Sequence, residues 1–106
     1  NSFNNIINYA QPPFGIICYS DYVAIGVLSA IREHKLDIPG QVSIVGYDDI
    51  EMVTYLDVPL TTIKQARYMI GSKGAELLIE NIENSKNYKQ LSQIILEPEL
   101  VVRKST

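Results

Sequence analysis

Gln41-Val42-Ser43-Ile44-Val45-Gly46-Tyr47-Asp48-Asp49 is the stretch around which the chain is organised. Val42, Ile44 and Val45 are β-branched and apolar, which suits a short buried strand. Gly46 supplies a turn near its end, and a pair of carboxylates follows. In open α/β sheets, the groups just beyond the carboxyl ends of strands face the crevice where ligands bind. Asp48 stands at such a position. The competing reading is that Asp48 or Asp49 caps the helical turn that follows, a common use of aspartate. The rest of the chain decides between them.

Working outward, two more strands end on polar side chains. Phe14-Gly15-Ile16-Ile17-Cys18-Tyr19 reads as a buried strand, and Ser20-Asp21 then opens a helix that ends near Lys35, with Ser20 or Asp21 as its N-cap. Leu60-Thr61-Thr62-Ile63-Lys64 is a third strand with Gln65 at its end. Three strands closing on hydrogen-bonding side chains outline a crevice, which favours a ligand role for Asp48 over a cap.

The Ser20–Lys35 helix is apolar on more than one face, because Ala24, Ile25, Val27, Leu28, Ala30 and Ile31 exceed a single core stripe. Its second face is expected to meet another subunit or subdomain. Gly26 in its interior, at about 1 kcal/mol relative to Ala, predicts close backbone packing there. His34 lies among Arg32, Glu33 and Lys35 and reads as a solvated last-turn residue, where cations suit the helix dipole. Cys18, inside an apolar run, reads as a buried and inert thiol.

Residues 1–10 place Phe3, Ile6, Ile7 and Ala10 on one face of a helix, although their asparagines are poor helix formers. Gln11-Pro12-Pro13 ends it. Residues 50–56 form a short helical turn that exposes Met52, Val53, Tyr55 or Leu56, and Asp57-Val58-Pro59 breaks it. Residues 66–84 carry Met69, Ile70, Gly74, Leu77, Leu78 and Ile82 at the helical period. Residues 84–89 are a polar loop, and residues 94–103 a last extended segment that Pro98 marks as an edge or interrupted strand. This order of elements describes part of a three-layer α/β sheet.

Several function classes are excluded by composition. The 106 residues allow one modest domain, burying about 60–65% of its unfolded surface. A net charge of -3 lacks the clustered basic footprint that gripping duplex DNA requires. One cysteine leaves neither an internal disulfide nor a cysteine-built zinc site. No apolar run approaches the length of a membrane span. Catalysis has no visible machinery: there is no Gly-rich phosphate loop and no metal-ligand cluster, and adjacent Asp48 and Asp49 diverge too far to work as a glycosidase pair. No cofactor, metal or membrane is expected. The chain opens at Asn1 without a methionine and reads as a piece of a longer protein.

Four stretches in order, Ile17–Gly26 (ICYSDYVAIG), Val42–Asp49 (VSIVGYDD), Pro59–Gln65 (PLTTIKQ) and Glu99–Arg103 (ELVVR), closely resemble the LacI/GalR family of transcriptional regulators. The resemblance covers residues 15–106 and points to the C-terminal portion of the effector-binding core. It implies a clamp of the periplasmic-binding-protein type I kind, with a three-layer α/β/α Rossmann-like subdomain, a mostly parallel sheet and a small molecule held in the interdomain cleft. Residues 1–65 and 94–106 would form the C-terminal subdomain, and residues 66–93 a helix and crossover belonging to the N-terminal one. An N-terminal helix-turn-helix domain outside this chain would bind operator DNA as a homodimer in the cytoplasm.

By the same resemblance, Asp48 reaches the ligand, Ser20 lines the cleft where the family usually has Asn, and Gln65 contacts ligand in related sugar-binding proteins. The effector is then a sugar, a sugar derivative or a nucleobase, since a carboxylate can accept from two adjacent hydroxyl or N–H groups. Ile25 and Leu28, with Tyr55 or Leu56, are expected at a two-fold interface. The rival is a secreted sugar-binding protein that feeds a transporter and shares the clamp. In either case the helix over 66–84 has an apolar stripe whose partner sheet lies mainly upstream, so it is expected to fold back on its own chain or pack on a second copy.

Overall fold

The computed structural model describes residues 2–84 and 92–106 and divides the chain into two compact units. Asn1–Lys64 with Glu99–Thr106 form the first, and Gln65–Pro98 the second.

The first unit holds α1 (Ser2–Tyr9), β1 (Phe14–Ile17), α2 (Asp21–Glu33), β2 (Val42–Val45), a 3-10 turn over Glu51–Thr54, β3 (Thr62–Lys64) and β4 (Glu99–Val101). β1 and β2 run parallel, with Phe14 opposite Val42 and Ile17 opposite Val45. Parallel neighbours need a long crossover, and α2 supplies it. β3 and β4 are antiparallel, with Thr62 opposite Val101. Two isolated parallel bridges, Val45 with Thr61 and Asp48 with Lys64, join the ladders. The α/β class and the parallel core of the sheet thus stand as the sequence predicts, with an antiparallel strand at one edge. β4 begins just after Pro98 and is mostly exposed, as suits a strand that proline keeps to an edge.

Ala24, Leu28 and Ile31 recur at helical spacing on α2 and are buried with Val42 and Ile44 of β2. Phe3, Cys18, Val53 and Leu60 complete this core. Burying each of the larger aliphatic side chains is worth roughly 1.5–3 kcal/mol. α1 contributes Phe3, with Ile7 packed beside it. The Phe3 ring meets His34 edge-on at 5.4 Å. His34 is the C-cap of α2, and its Nδ1 lies 2.8 Å from the Ala30 carbonyl, which can only accept, so Nδ1 carries the hydrogen. The histidine finishes a helix, as expected.

The C-terminal residues are stitched into the sheet. Fully buried Ser105 donates its hydroxyl to Ile44 O at 2.6 Å and accepts from Thr61 N at 2.8 Å. One expectation is not met within this chain. Gly26 has no atom within 4 Å of where a Cβ would sit, so nothing in this chain packs closely against it. The second unit holds α3 (Arg67–Glu83), the helix expected over residues 66–84, in which no residue is buried. Leu78 and Ile82 are 61% and 66% exposed in the single chain, and the second copy expected as an alternative cover of the stripe lies outside it. Within that unit Ile70, Gly74 and Leu77 share a shallow concavity of about 240 Å³ with Ile94 and Leu96. The loop expected over 84–89 falls, from residue 85, outside the described residues.

Candidate functional site

The carboxyl ends of β1 and β2 lie side by side because the strands are parallel and adjacent. Each leads into a polar turn. Ser20, in extended conformation, is the N-cap of α2, and its Oγ accepts from Val23 N at 3.3 Å. That use leaves the hydroxyl hydrogen to donate elsewhere. Asp21 follows, and it is fully buried.

Asp21 ties the first turn to the second at several points. Its backbone N–H donates to Tyr47 O at 2.8 Å. Its Oδ2 accepts from Ile50 N at 2.9 Å, and its Oδ1 accepts from the hydroxyl of Thr62 at 2.6 Å. The carboxylate occupies space that only glycine leaves open at position 46, since a Cβ there would run into Asp21 Oδ1 and lie 2.8 Å from Leu60 Cδ2. Gly46 has a negative φ, so close approach, rather than turn geometry, requires glycine.

Between these ties sit Asp48 and Asp49, both half-buried and both with positive φ, 113° and 53°. Non-glycine residues in that region cost on the order of 1–3 kcal/mol each and persist where their surroundings over-determine them. Asp48 N donates to Ile63 O at 2.9 Å, which fixes the backbone of this residue against β3. Asp49 Oδ1 pairs with Arg103 Nη2 at 2.7 Å, and its N–H makes a long bond to Thr62 Oγ1 at 3.4 Å. Arg103 is itself anchored, donating to Leu60 O at 2.8 Å and, from its backbone, to Thr61 Oγ1 at 2.8 Å. The competing reading of the pair as helix caps is not formed. The 3-10 turn has Ile50 at its N-cap and no side-chain capping bond.

Ser20 and Asp48 are therefore brought to one edge, with the Asp21–Tyr47 bond between their turns. Gln65 opens the second unit, where its carbonyl accepts from Arg67 N at 2.8 Å. Cys18, at the end of β1, is buried, and that burial, with the charge of Asp21 adding, pushes its thiol above the ordinary range. Among the described residues, no group of three or more His, Cys, Asp and Glu side chains converges to hold a metal ion, and no helix is long and apolar enough to cross a membrane.

On another side of the first unit, Ile25, Leu28, Tyr55 and Leu56 line one groove of about 560 Å³. Leu28 belongs to the core of its own chain at 8% exposure, whereas Tyr55 is 76% exposed. Arg32 and Asp57 pair across the groove at 2.8 Å, an exposed bridge that contributes little.

Sequence reasoning placed Ser20 and Asp48 beyond strand ends, where they lie, but did not foresee the hydrogen bonds by which Asp21, Thr62 and Arg103 join the same turn. Asp21 was visible as an alternative cap and as one of the polar residues at a strand end, but its burial was not. Its pairing with Gly46, a glycine following a strand opposite an aspartate that opens a helix, was the available signal.

A family model described as a periplasmic binding protein-like domain matches residues 2–106. Among curated relatives, the HTH-type transcriptional repressor PurR of Actinobacillus pleuropneumoniae is 39% identical over 102 residues, which cover 96% of this chain and 30% of that protein. The chain thus spans less than a third of the length of that relative. Among solved structures, a LacI family transcriptional regulator from Enterococcus faecium with bound ribose superposes with a TM-score of 0.82 at 30% identity, over 98% of this chain and 37% of that one. The lac repressor dimer bound to operator and an anti-inducer gives a TM-score of 0.83 at 30% identity, over 99% of this chain and 36% of that one. With its parallel β1–β2 core, its paired turns and a match over nearly every residue, the chain belongs to the periplasmic binding protein-like domain family, and it is similar to that domain in LacI-family regulators.

Proposed function

We propose that this chain is the effector-sensing and dimerisation part of a DNA-binding transcriptional regulator of the LacI/GalR type, acting in the cytoplasm and without catalysis. The observation that carries this reading is Asp48, a half-buried carboxylate held at φ 113° on the shared carboxyl edge of β1 and β2. An unfavourable backbone conformation kept at such an edge supports a functional role. Asp48 accepts from two adjacent hydroxyl or N–H groups of the effector, and Ser20 donates its hydroxyl beside it. Gln65 is a further contact, carried over from related sugar-binding proteins. A sugar or sugar derivative is the favoured class, a reading supported by the ribose bound in the similar Enterococcus regulator, with a nucleobase next.

Residues 66–93 are assigned to the N-terminal subdomain of the clamp. Ile25, Leu28, Tyr55 and Leu56 are assigned to a two-fold subunit interface, and operator DNA is bound through a helix-turn-helix domain outside this chain. A two-fold dimer suits palindromic operators, whose half-sites mirror the symmetry of the protein. The rival, a secreted solute-binding protein, shares the fold, but the similar proteins named above are transcription regulators.

The test is a thermal-shift screen of the intact protein against ribose, other sugars, sugar phosphates and purines. A ligand at a hundred times its dissociation constant stabilises the folded state by about 2.7 kcal/mol. Asp48→Asn should abolish that shift while preserving the fold, and Asp49→Asn should leave a shift of similar size on a less stable protein. A full shift in Asp48→Asn would refute the assignment.

A further inference from the structure

We propose that Asp21 and Thr62 are positioning residues for Asp48: their buried hydrogen-bond relay holds the Gly46–Ile50 turn in the conformation that receives the effector. This rests on the reading of Asp48 as the carboxylate that meets the effector.

Both residues are fully buried. They form a directed chain in which Asp49 N–H donates to Thr62 Oγ1 and the Thr62 hydroxyl donates to Asp21 Oδ1. The second oxygen of Asp21 takes Ile50 N–H. The two residues with positive φ are thus bracketed. Tyr47 is bound by the backbone of Asp21 on one side, Ile50 by its side chain on the other, and Asp49 by Thr62 from β3. A strained turn relaxes unless its flanks are pinned. Beside the backbone bond from Asp48 N to Ile63 O, these pins converge on one residue, Asp21, whose carboxylate the missing Cβ of Gly46 lets approach. Asp21 also follows Ser20 directly, so the same residue sets the separation between the two side chains assigned to the effector. The Asp21 carboxylate thus holds the turn directly at Ile50 and, through the Thr62 hydroxyl, at Asp49, while its backbone N–H holds Tyr47.

The experiment uses the intact protein, with D-ribose as the probe. It combines calorimetric affinity, thermal midpoint and amide hydrogen exchange without ligand. Thr62→Val keeps the shape and removes the hydroxyl, and Thr62→Ser restores it. Thr62→Val should weaken ribose binding by about tenfold or more, the weight of one hydrogen bond to a charged group. It should also speed exchange at Ile50 N–H by about tenfold while exchange at Ile44 stays unchanged, as a local opening does. Thr62→Ser should recover both readings, which a purely structural deficit measured by the thermal midpoint would not track. If Thr62→Val folds poorly, Asp21→Asn, which keeps one acceptor for Ile50 N–H, poses the same question with the same expected losses.

Wild-type affinity in Thr62→Val, or Ile50 exchange that does not change, would overturn the proposal. Wild-type affinity in Asp48→Asn would instead overturn the effector reading, and the two failures are told apart because the Ile50 exchange still reports on the relay. The exchange reading needs no ligand, so it decides the proposal even where ribose is not the effector.

Discussion

The guanidinium of Arg103 reaches back 54 residues to place Nη2 2.7 Å from Asp49 Oδ1, with the two side chains only 18% and 15% exposed. This contact closes the C-terminal segment against the turn that bears Asp48. Removing one partner of a largely buried pair leaves the other charge without compensation, which is the expensive half of such an interaction. Arg103→Met, which also loses the bond to Leu60 O, should therefore destabilise the protein by about 2–3 kcal/mol. Urea unfolding reads this directly, and a change within about 0.5 kcal/mol, the ordinary surface range, would show that the pair is dispensable.

Gly46→Ala should be costly although it adds a single methyl group. The new Cβ meets Asp21 Oδ1 and Leu60 Cδ2, and both belong to buried side chains with little room to move. Overpacking of this kind costs about 1–3 kcal/mol. Gly15→Ala is the control, because its Cβ would find only Ser43 O, at 4.0 Å. A chemical-denaturation midpoint shifted equally in both variants would contradict the close-approach account of Gly46.

Cys18 gives a pH dependence. Burial raises its thiol above the ordinary range, so the folded state holds the proton more tightly than the unfolded chain does. That contribution is fully present below the unfolded value of about 8.5 and is lost as pH climbs through the raised folded value. Unfolding free energies measured from pH 7 to pH 10 should fall less steeply in Cys18→Ala than in the wild type. Equal slopes would mean that the thiol titrates alike in both states. The same burial predicts slow alkylation of Cys18 by iodoacetamide at neutral pH, relative to the urea-unfolded chain.

Ile25→Glu tests the assigned interface. Ile25 is half-buried at the rim of the groove that Tyr55 and Leu56 complete, and Leu28 is avoided because it also serves the core. A carboxylate placed on each side of a two-fold contact meets its own copy. Sedimentation of the intact protein should show monomers, with the thermal midpoint of the monomeric unit retained. A dimer of unchanged dissociation constant would remove these residues from the interface.

Much of the fold was legible because it depends on local periodicity. The 24, 28 and 31 positions of α2, the alternation in Val42–Val45, the proline stops at 12–13 and 59, and the Ser20 cap each follow from the chemistry of a few neighbouring residues. The positions of Asp48 and Ser20 were legible for the same reason, since a polar residue just past a buried strand can be read along the chain. Gly26, and the cover of the α3 stripe, were not legible in this way. The sequence shows that a surface is apolar or small, but not what meets it, and in this chain nothing packs closely on Gly26 and no residue of α3 is buried.

By itself, then, the sequence determined the order and type of the elements, the α/β class and the edge at which polar groups gather. Only the tertiary structure showed that Asp49 pairs with Arg103 and that Asp21 is buried and tied to the same turn. Asp21, Thr62 and Arg103 lie 27, 13 and 54 residues from Asp48 or Asp49, counted respectively to Asp48, Asp49 and Asp49. Their hydrogen bonds arise only when parallel strands place the ends of β1, β2 and β3 together. Periodicity records which face of an element is buried, whereas a buried polar network records which elements meet, and that information exists only once the chain has closed on itself.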